Sequence, residues 1–165
     1  MKINLIFFLS RFGIGGAGNS IFQLCKGLSK KKFNISIICL NNCPYDKEFK
    51  KIGIKVYKIK SNKTIFAMTK VFNITKYLIS KKYKKNIFIS NIHYTNILSL
   101  IFLRNLDDLK ILLVERTPLM ELNIYFNFVD FIKKNIIKLL IYLLYNFSDS
   151  IVCNSKNISK YFKIK

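Results

Sequence analysis

Six short runs rich in branched and aromatic apolar residues alternate with longer stretches of helical periodicity, and this alternation constrains the chain more than any other feature. The runs fall near residues 3–9, 34–40, 54–59, 86–90, 110–115 and 149–153; the helical patterns fall near 19–31, 65–82, 95–104, 131–146 and 155–163. Several runs are apolar at nearly every position, as in Ile35-Ser36-Ile37-Ile38-Cys39-Leu40 and Ile111-Leu112-Leu113-Val114. A strand wetted on one face alternates apolar and polar residues, so strands of this kind belong in a sheet covered by helices on both sides. Helical crossovers between such strands make the sheet parallel. The expected fold class is α/β, with a mainly parallel sheet of about six strands.

At 165 residues and 51% hydrophobic content the chain suits one packed domain rather than a disordered segment. No stretch reaches the ~20 apolar residues of a spanning helix, and the longest candidate, residues 87–103, is interrupted by Asn91, His93 and Asn96. Lys2 and the apolar run after it faintly resemble an export signal, but Arg11 and a glycine loop stand where a cleavage region belongs, so a cytoplasmic location is expected. Cys25, Cys39, Cys43 and Cys153 form no Cys-x-x-Cys pair and His93 is the sole histidine, so neither a metal cluster nor a disulfide framework is indicated.

The formal net charge of +21 calls for a polyanionic partner or for none. Nucleic acid, an anionic membrane surface and a phosphorylated substrate all qualify. Only Arg11, Arg104 and Arg116 are arginines, which is poor equipment for base readout, and the aromatics lie in runs that look buried rather than on a stacking platform. Nucleic acid is therefore not the expected partner. The same bias toward Lys, Ile, Asn, Phe and Tyr also fits compositional drift on a solvated surface.

Residues 13 to 20 read Gly-Ile-Gly-Gly-Ala-Gly-Asn-Ser, between the first strand and the first helical pattern. Glycines let an anion approach the main chain, and the following helix points unpaired N–H groups and the positive end of its dipole at the loop. Asn19 or Ser20 is the expected cap; Ile21, Leu24, Cys25 and Leu28 form its apolar stripe, and Lys30, Lys31 and Lys32 suit its carboxyl end. Gly13, Gly15 and Gly18 match the literal pattern of a dinucleotide fingerprint. However, Ser10, Arg11 and Phe12 widen the turn, and the second strand ends Leu40-Asn41-Asn42 where an acidic residue should hold a ribose; Asp46 comes only after Pro44. A wide loop for a diphosphate or sugar phosphate fits better, beside the plainer reading of a structural turn.

Further candidates stand at the carboxyl ends of strands, the edge at which open α/β sheets place ligands. They are Asn91 and His93 after the fourth run, and Glu115, Arg116 and Thr117 after the fifth. A rigid, always charged guanidinium suits a phosphate or carboxylate, whereas a Glu115–Arg116 surface ion pair would mean little. Arg11 could reach the same anion or face solvent. Between residues 122 and 147 the chain thickens with aromatics, and at helical spacing Lys134, Lys138, Tyr142 and Tyr145 share a stripe opposite Ile136, Ile137, Leu140, Leu143, Leu144 and Phe147. That pattern fits a helix packed on the sheet with its charges in water, and it also fits an interfacial membrane helix.

Together these segments resemble the amino-terminal half of family-4 glycosyltransferases, enzymes of the GT-B fold. The carriers are the opening strand, Gly15-Gly16-Ala17-Gly18, the helix end Gly27-Leu28-Ser29-Lys30, Ile87-Phe88-Ile89-Ser90-Asn91-Ile92-His93, Val114-Glu115-Arg116-Thr117-Pro118 and Ser148-Asp149-Ser150-Ile151-Val152-Cys153-Asn154-Ser155. The resemblance implies a Rossmann-like three-layer sandwich over residues 1–154, one half of a GT-B architecture, with 155–165 starting a helix toward a second, donor-binding domain. It implies a nucleotide-diphosphate sugar as substrate, a glycan or lipid-linked acceptor, a retaining mechanism, and neither metal nor other cofactor. Gly15, Gly16, Ala17 and Gly18 would cradle the donor diphosphate, although Gly18 stands where many relatives have glutamate. His93 would be the catalytic group at the transferred sugar, and Arg11, Asn91, Glu115, Arg116 and Thr117 would meet substrate or acceptor. Peripheral attachment to the inner face of a cytoplasmic membrane would accompany a lipid-linked acceptor. The rival expectation is a non-catalytic module that binds a membrane or a partner.

Overall fold

The computed structural model describes residues 1–13, 15–80 and 82–162. Six strands form one sheet: β1 (Ile3–Leu9), β2 (Phe33–Leu40), β3 (Lys55–Ile59), β4 (Lys85–Asn91), β5 (Leu109–Glu115) and β6 (Ser150–Cys153). Their spatial order is β3-β2-β1-β4-β5-β6, and every neighbouring pair is parallel. The helices are α1 (Gly16–Gly27), α2 (Asp46–Lys51), α3 (Thr64–Leu78), α4 (His93–Leu103), α5 (Phe128–Leu144) and α6 (Lys156–Tyr161). Short 3-10 turns at Leu119–Asn123 and Tyr145–Phe147 flank α5.

Side-chain alternation along the strands builds two cores. Ile6, Phe8, Ile38, Leu40, Phe88, Ile111 and Leu113 face α3, α4 and α5, while Leu5, Phe7, Leu9, Ile35, Ile37, Cys39 and Ile89 face α1 and α2. Burial on both faces is what the unbroken apolar runs require, and the result is a Rossmann-like three-layer α/β sandwich. Between the amino-terminal ends of β2, β1 and β4 runs a polar ladder that periodicity does not reveal. Asn34 Nδ2 donates to Asn4 Oδ1 at 2.8 Å, and Asn4 Nδ2 donates to Asn86 Oδ1 and to the Leu78 carbonyl, both at 3.0 Å.

Several expected boundaries move for physical reasons. The helix expected from residue 19 begins three residues earlier, with Gly15 as its extended N-cap and no side-chain cap, so neither Asn19 nor Ser20 caps it. Gly16 enters the helix at φ +47°, a conformation that glycine alone adopts without strain. Asp46, which follows Pro44 where no helix is expected, opens α2, whose single buried residue, Phe49, packs with Phe12, Phe22 and Tyr45. One apolar residue in six gives no stripe to read. The helix expected over 65–82 ends at Leu78, and residue 81 lies outside the described residues; so does residue 163, the expected end of the last helix.

In α5 the expected two-sided pattern is rearranged. Tyr145 is buried rather than wet, while Ile136, Leu143 and Phe147, expected to pack inward, are each more than half exposed. The sheet side is formed by Ile137, Leu140, Ile141 and Leu144. A helix apolar nearly all round does not declare which side faces the core, and the choice falls to the neighbouring elements.

Candidate functional site

The strand order reverses between β1 and β4, which opens a crevice at the carboxyl edge where ligands of open α/β sheets bind. The chain brings three pieces to this edge: the segment after β1 (Ser10 to Gly18), the β4–α4 junction and the end of β5. Thr95 Oγ1 donates to Ser10 Oγ at 3.2 Å, and Asn91 Nδ2 donates to the Phe8 carbonyl at 3.4 Å, so the first two pieces are joined directly.

At the glycine segment, Gly15 and Gly16 are exposed and the first turn of α1 carries no acidic residue. Gly18 serves packing instead. Its amide donates to the Gly15 carbonyl at 3.2 Å, and a Cβ there would lie 2.1 Å from the Gly13 oxygen. Arg11 is exposed and lines a cleft of about 550 Å³ with Ser10, Asn41, Ser61, Lys63, Thr64 and Tyr94. Two other hollows of comparable size open at the opposite edge of the sheet, around Asn86 and around Asn34. The carboxyl edge carries more weight, because there the helix amino termini and their dipoles converge.

His93 is not a free loop residue but the first residue of α4, and it is only 6% exposed. Its Nδ1 lies 2.6 Å from Glu115 Oε2, at ion-pair distance but without hydrogen-bond alignment. Its Nε2 has no hydrogen-bond partner. Ile92, just before it, holds φ +75° and ψ 142°, a region strongly disfavoured for a β-branched residue. Strained backbone of this kind clusters at functional junctions and costs about 1–3 kcal/mol.

Glu115 is completely buried and, among the described residues, pairs with neither Arg116 nor a lysine. Its Oε1 accepts from Asn96 Nδ2 at 2.7 Å and from the Tyr145 hydroxyl. Burial and then the Glu115 charge push the Tyr145 phenol up, so Tyr145 remains a donor. Glu115 is thus an internal anchor that orients His93 and cannot reach an acceptor. Asn96 and Tyr145 complete this cluster, and their only trace in the sequence is a polar atom inside an apolar run.

Arg116 is half-buried, and burial pulls its guanidinium below its usual range. Its Nε donates to Asn91 Oδ1 at 3.2 Å, and among the described residues no carboxylate forms an ion pair with it. Asn91 itself is 1% exposed and fixes Arg116 against β1. Thr117 follows, half-buried, at the bend into the 3-10 turn. Among the described residues no group of three His, Cys, Asp or Glu side chains is placed to hold a metal ion. The four cysteines are free thiols; three are buried and Cys153 is partly exposed.

Fold and edge together define a Rossmann-like α/β domain with cationic and strained groups at its topological switch point. No protein-family model matches the chain, and no curated protein matches it at a significant level.

Proposed function

We propose that this chain is the amino-terminal half of a glycosyltransferase that moves a sugar from a nucleotide-diphosphate sugar to a glycan or lipid-linked acceptor with retention of configuration. The observation that carries the reading is Arg116: a half-buried guanidinium with no carboxylate partner among the described residues, fixed by Asn91 at the switch-point edge. Partial desolvation of a charge is unfavourable unless it is compensated, and a phosphate or carboxylate accepting from its terminal nitrogens supplies the compensation. The exposed main chain at Gly15 and Gly16, followed by α1 with its uncapped first turn, offers a second anion contact for the donor diphosphate.

In this mechanism the Glu115 carboxylate beside Nδ1 holds the His93 ring in place, and Nε2, enclosed in the chain by itself, accepts from a hydroxyl of the transferred sugar once the β4–α4 junction opens toward the donor. Arg116 stabilises charge on the phosphate or positions the acceptor, with Arg11 and Thr117 at the rim. The bond from the anomeric carbon to the diphosphate oxygen breaks, the acceptor oxygen bonds to that carbon on the same face, and the acceptor proton passes to the departing diphosphate. A second domain would hold most of the donor, so this chain binds nucleotide sugar weakly and transfers nothing by itself. The reading places it at the inner face of a cytoplasmic membrane.

The test is an NMR titration of the chain with UDP and with inorganic pyrophosphate. Amide shifts at Gly15 and Gly16 that saturate in the millimolar range, and binding roughly tenfold weaker in Arg116→Ala, are expected. Equal binding by Arg116→Ala, or sugar transfer by this chain alone, would count against the reading. The rival, a non-catalytic membrane or partner module, is favoured by one specific observation: the exposed apolar face of α5.

A further inference from the structure

The outer side of α5 carries Phe128, Phe131, Ile132, Ile136, Leu139 and Leu143, each between 42% and 74% exposed. Their spacings of three, four and seven residues place them on one continuous face. The opposite side of the same helix is already used, with Ile141 buried and Ile137, Leu140 and Leu144 packed against the core. Scattered apolar residues on a surface need no explanation, but a contiguous row of large ones marks an interaction site.

We propose that this face docks α5 in the plane of an anionic lipid bilayer. Charge argues for that occupant. Lys138 borders the apolar row, its ammonium donating to the Tyr125 hydroxyl at 2.7 Å, and the only acidic residue of the helix, Asp130, lies on the far side, paired with Lys134 at 2.9 Å. A row of aromatic and aliphatic side chains on a strongly basic domain buries its apolar part at the headgroup boundary while ammonium groups beside it meet anionic headgroups. The net charge of +21 adds long-range attraction to such a surface and opposes pairing with a second copy, which would bring equal charges together. Among the described residues no helix is long and apolar enough to cross a membrane, so α5 lies on the surface rather than through it. The inference gives a surface to the membrane placement stated above and is independent of sugar transfer, because vesicle binding requires no nucleotide.

The experiment is co-sedimentation of the chain with phosphatidylcholine vesicles with and without phosphatidylglycerol. The chain is expected to pellet with the anionic vesicles, more weakly but still measurably at about 0.5 M salt, because only the electrostatic part is screened. Leu139→Glu with Leu143→Glu, two substitutions at half-exposed positions, should weaken partitioning at least ~10-fold with an unchanged circular dichroism spectrum. Leu139→Trp gives a second readout in a chain that has no tryptophan, namely an emission blue shift on anionic vesicles. Three outcomes overturn the proposal: no pelleting at any ionic strength, an indole that stays in water beside the vesicles, or a concentration-dependent dimer without lipid that the double substitution abolishes. UDP titration gives the same answer in the double variant whether or not the membrane proposal stands, so the two proposals fail separately.

Discussion

Ile92 shows how a single residue carries a site's constraints. At φ +75° its backbone is strained, yet it must pass from the end of β4 into the first turn of α4 while its amide donates to the Val114 carbonyl and its carbonyl accepts from the Asn96 amide. Relief of about 1–3 kcal/mol on replacement by glycine opposes the lost contacts and a gain of about 1 kcal/mol in unfolded-chain entropy. Ile92→Gly is therefore expected to leave the urea midpoint nearly unchanged; a loss above roughly 3 kcal/mol, as at an ordinary core isoleucine, would show that no strain is stored there. His93, Glu115 and Arg116 were legible as polar residues at strand ends. Their mutual arrangement was not, because the partners that bind Glu115 sit 19 and 30 residues away in the chain and leave no periodic mark.

Among the elements, β1, β2 and β4 are legible because their apolar runs are almost wholly buried, and the half-exposed edge strands β3 and β6 by their branched residues, whereas a helix start is obscured wherever glycine or charge replaces the usual signals. Gly16 and the polar α2 are the two cases. The asparagine ladder has the same lesson in reverse: Asn4, Asn34 and Asn86 look like breaks in apolar strands, and parallel registration turns them into mutual partners. Asn4→Leu removes the middle member, leaving the half-buried Asn34 amide without its acceptor and the buried Asn86 carbonyl with the Ser80 amide alone. The expected loss is about 1–3 kcal/mol in equilibrium unfolding, and an unaltered midpoint would show that water replaces the ladder.

The whole molecule carries 29 basic residues and only 8 acidic ones, so its stability in acid depends on few groups. For Asp149, burial pushes the carboxyl up, but the Lys110 ammonium at 2.8 Å and the Ile111 amide outweigh it and the net direction is down; Asp46 and Asp130 are likewise lowered, chiefly by Lys58 and Lys134. A carboxyl lowered in the folded state stabilises above its unfolded value of about 3.9 and loses that contribution as pH falls through the folded value. Thermal melts should therefore be flat near neutrality and drop below about pH 4, more gently in Asp149→Asn. An acid decline of equal steepness in that variant would assign the effect to general charge repulsion.

The six-stranded parallel sandwich followed from alternating runs, because burial on two faces admits few other solutions. The outward row of α5 did not, since a wheel that is apolar on all sides has no preferred orientation until α4 and β5 are in place. One close approach described above also limits how this surface can diversify. The oxygen of Gly13 stands nearer to Gly18 than a methyl group could tolerate, while Gly15 is extended and a Cβ there meets nothing within 4 Å. Substitution at this junction is therefore open at position 15 and closed at position 18, and a library that varied both would yield folded members almost entirely through the former.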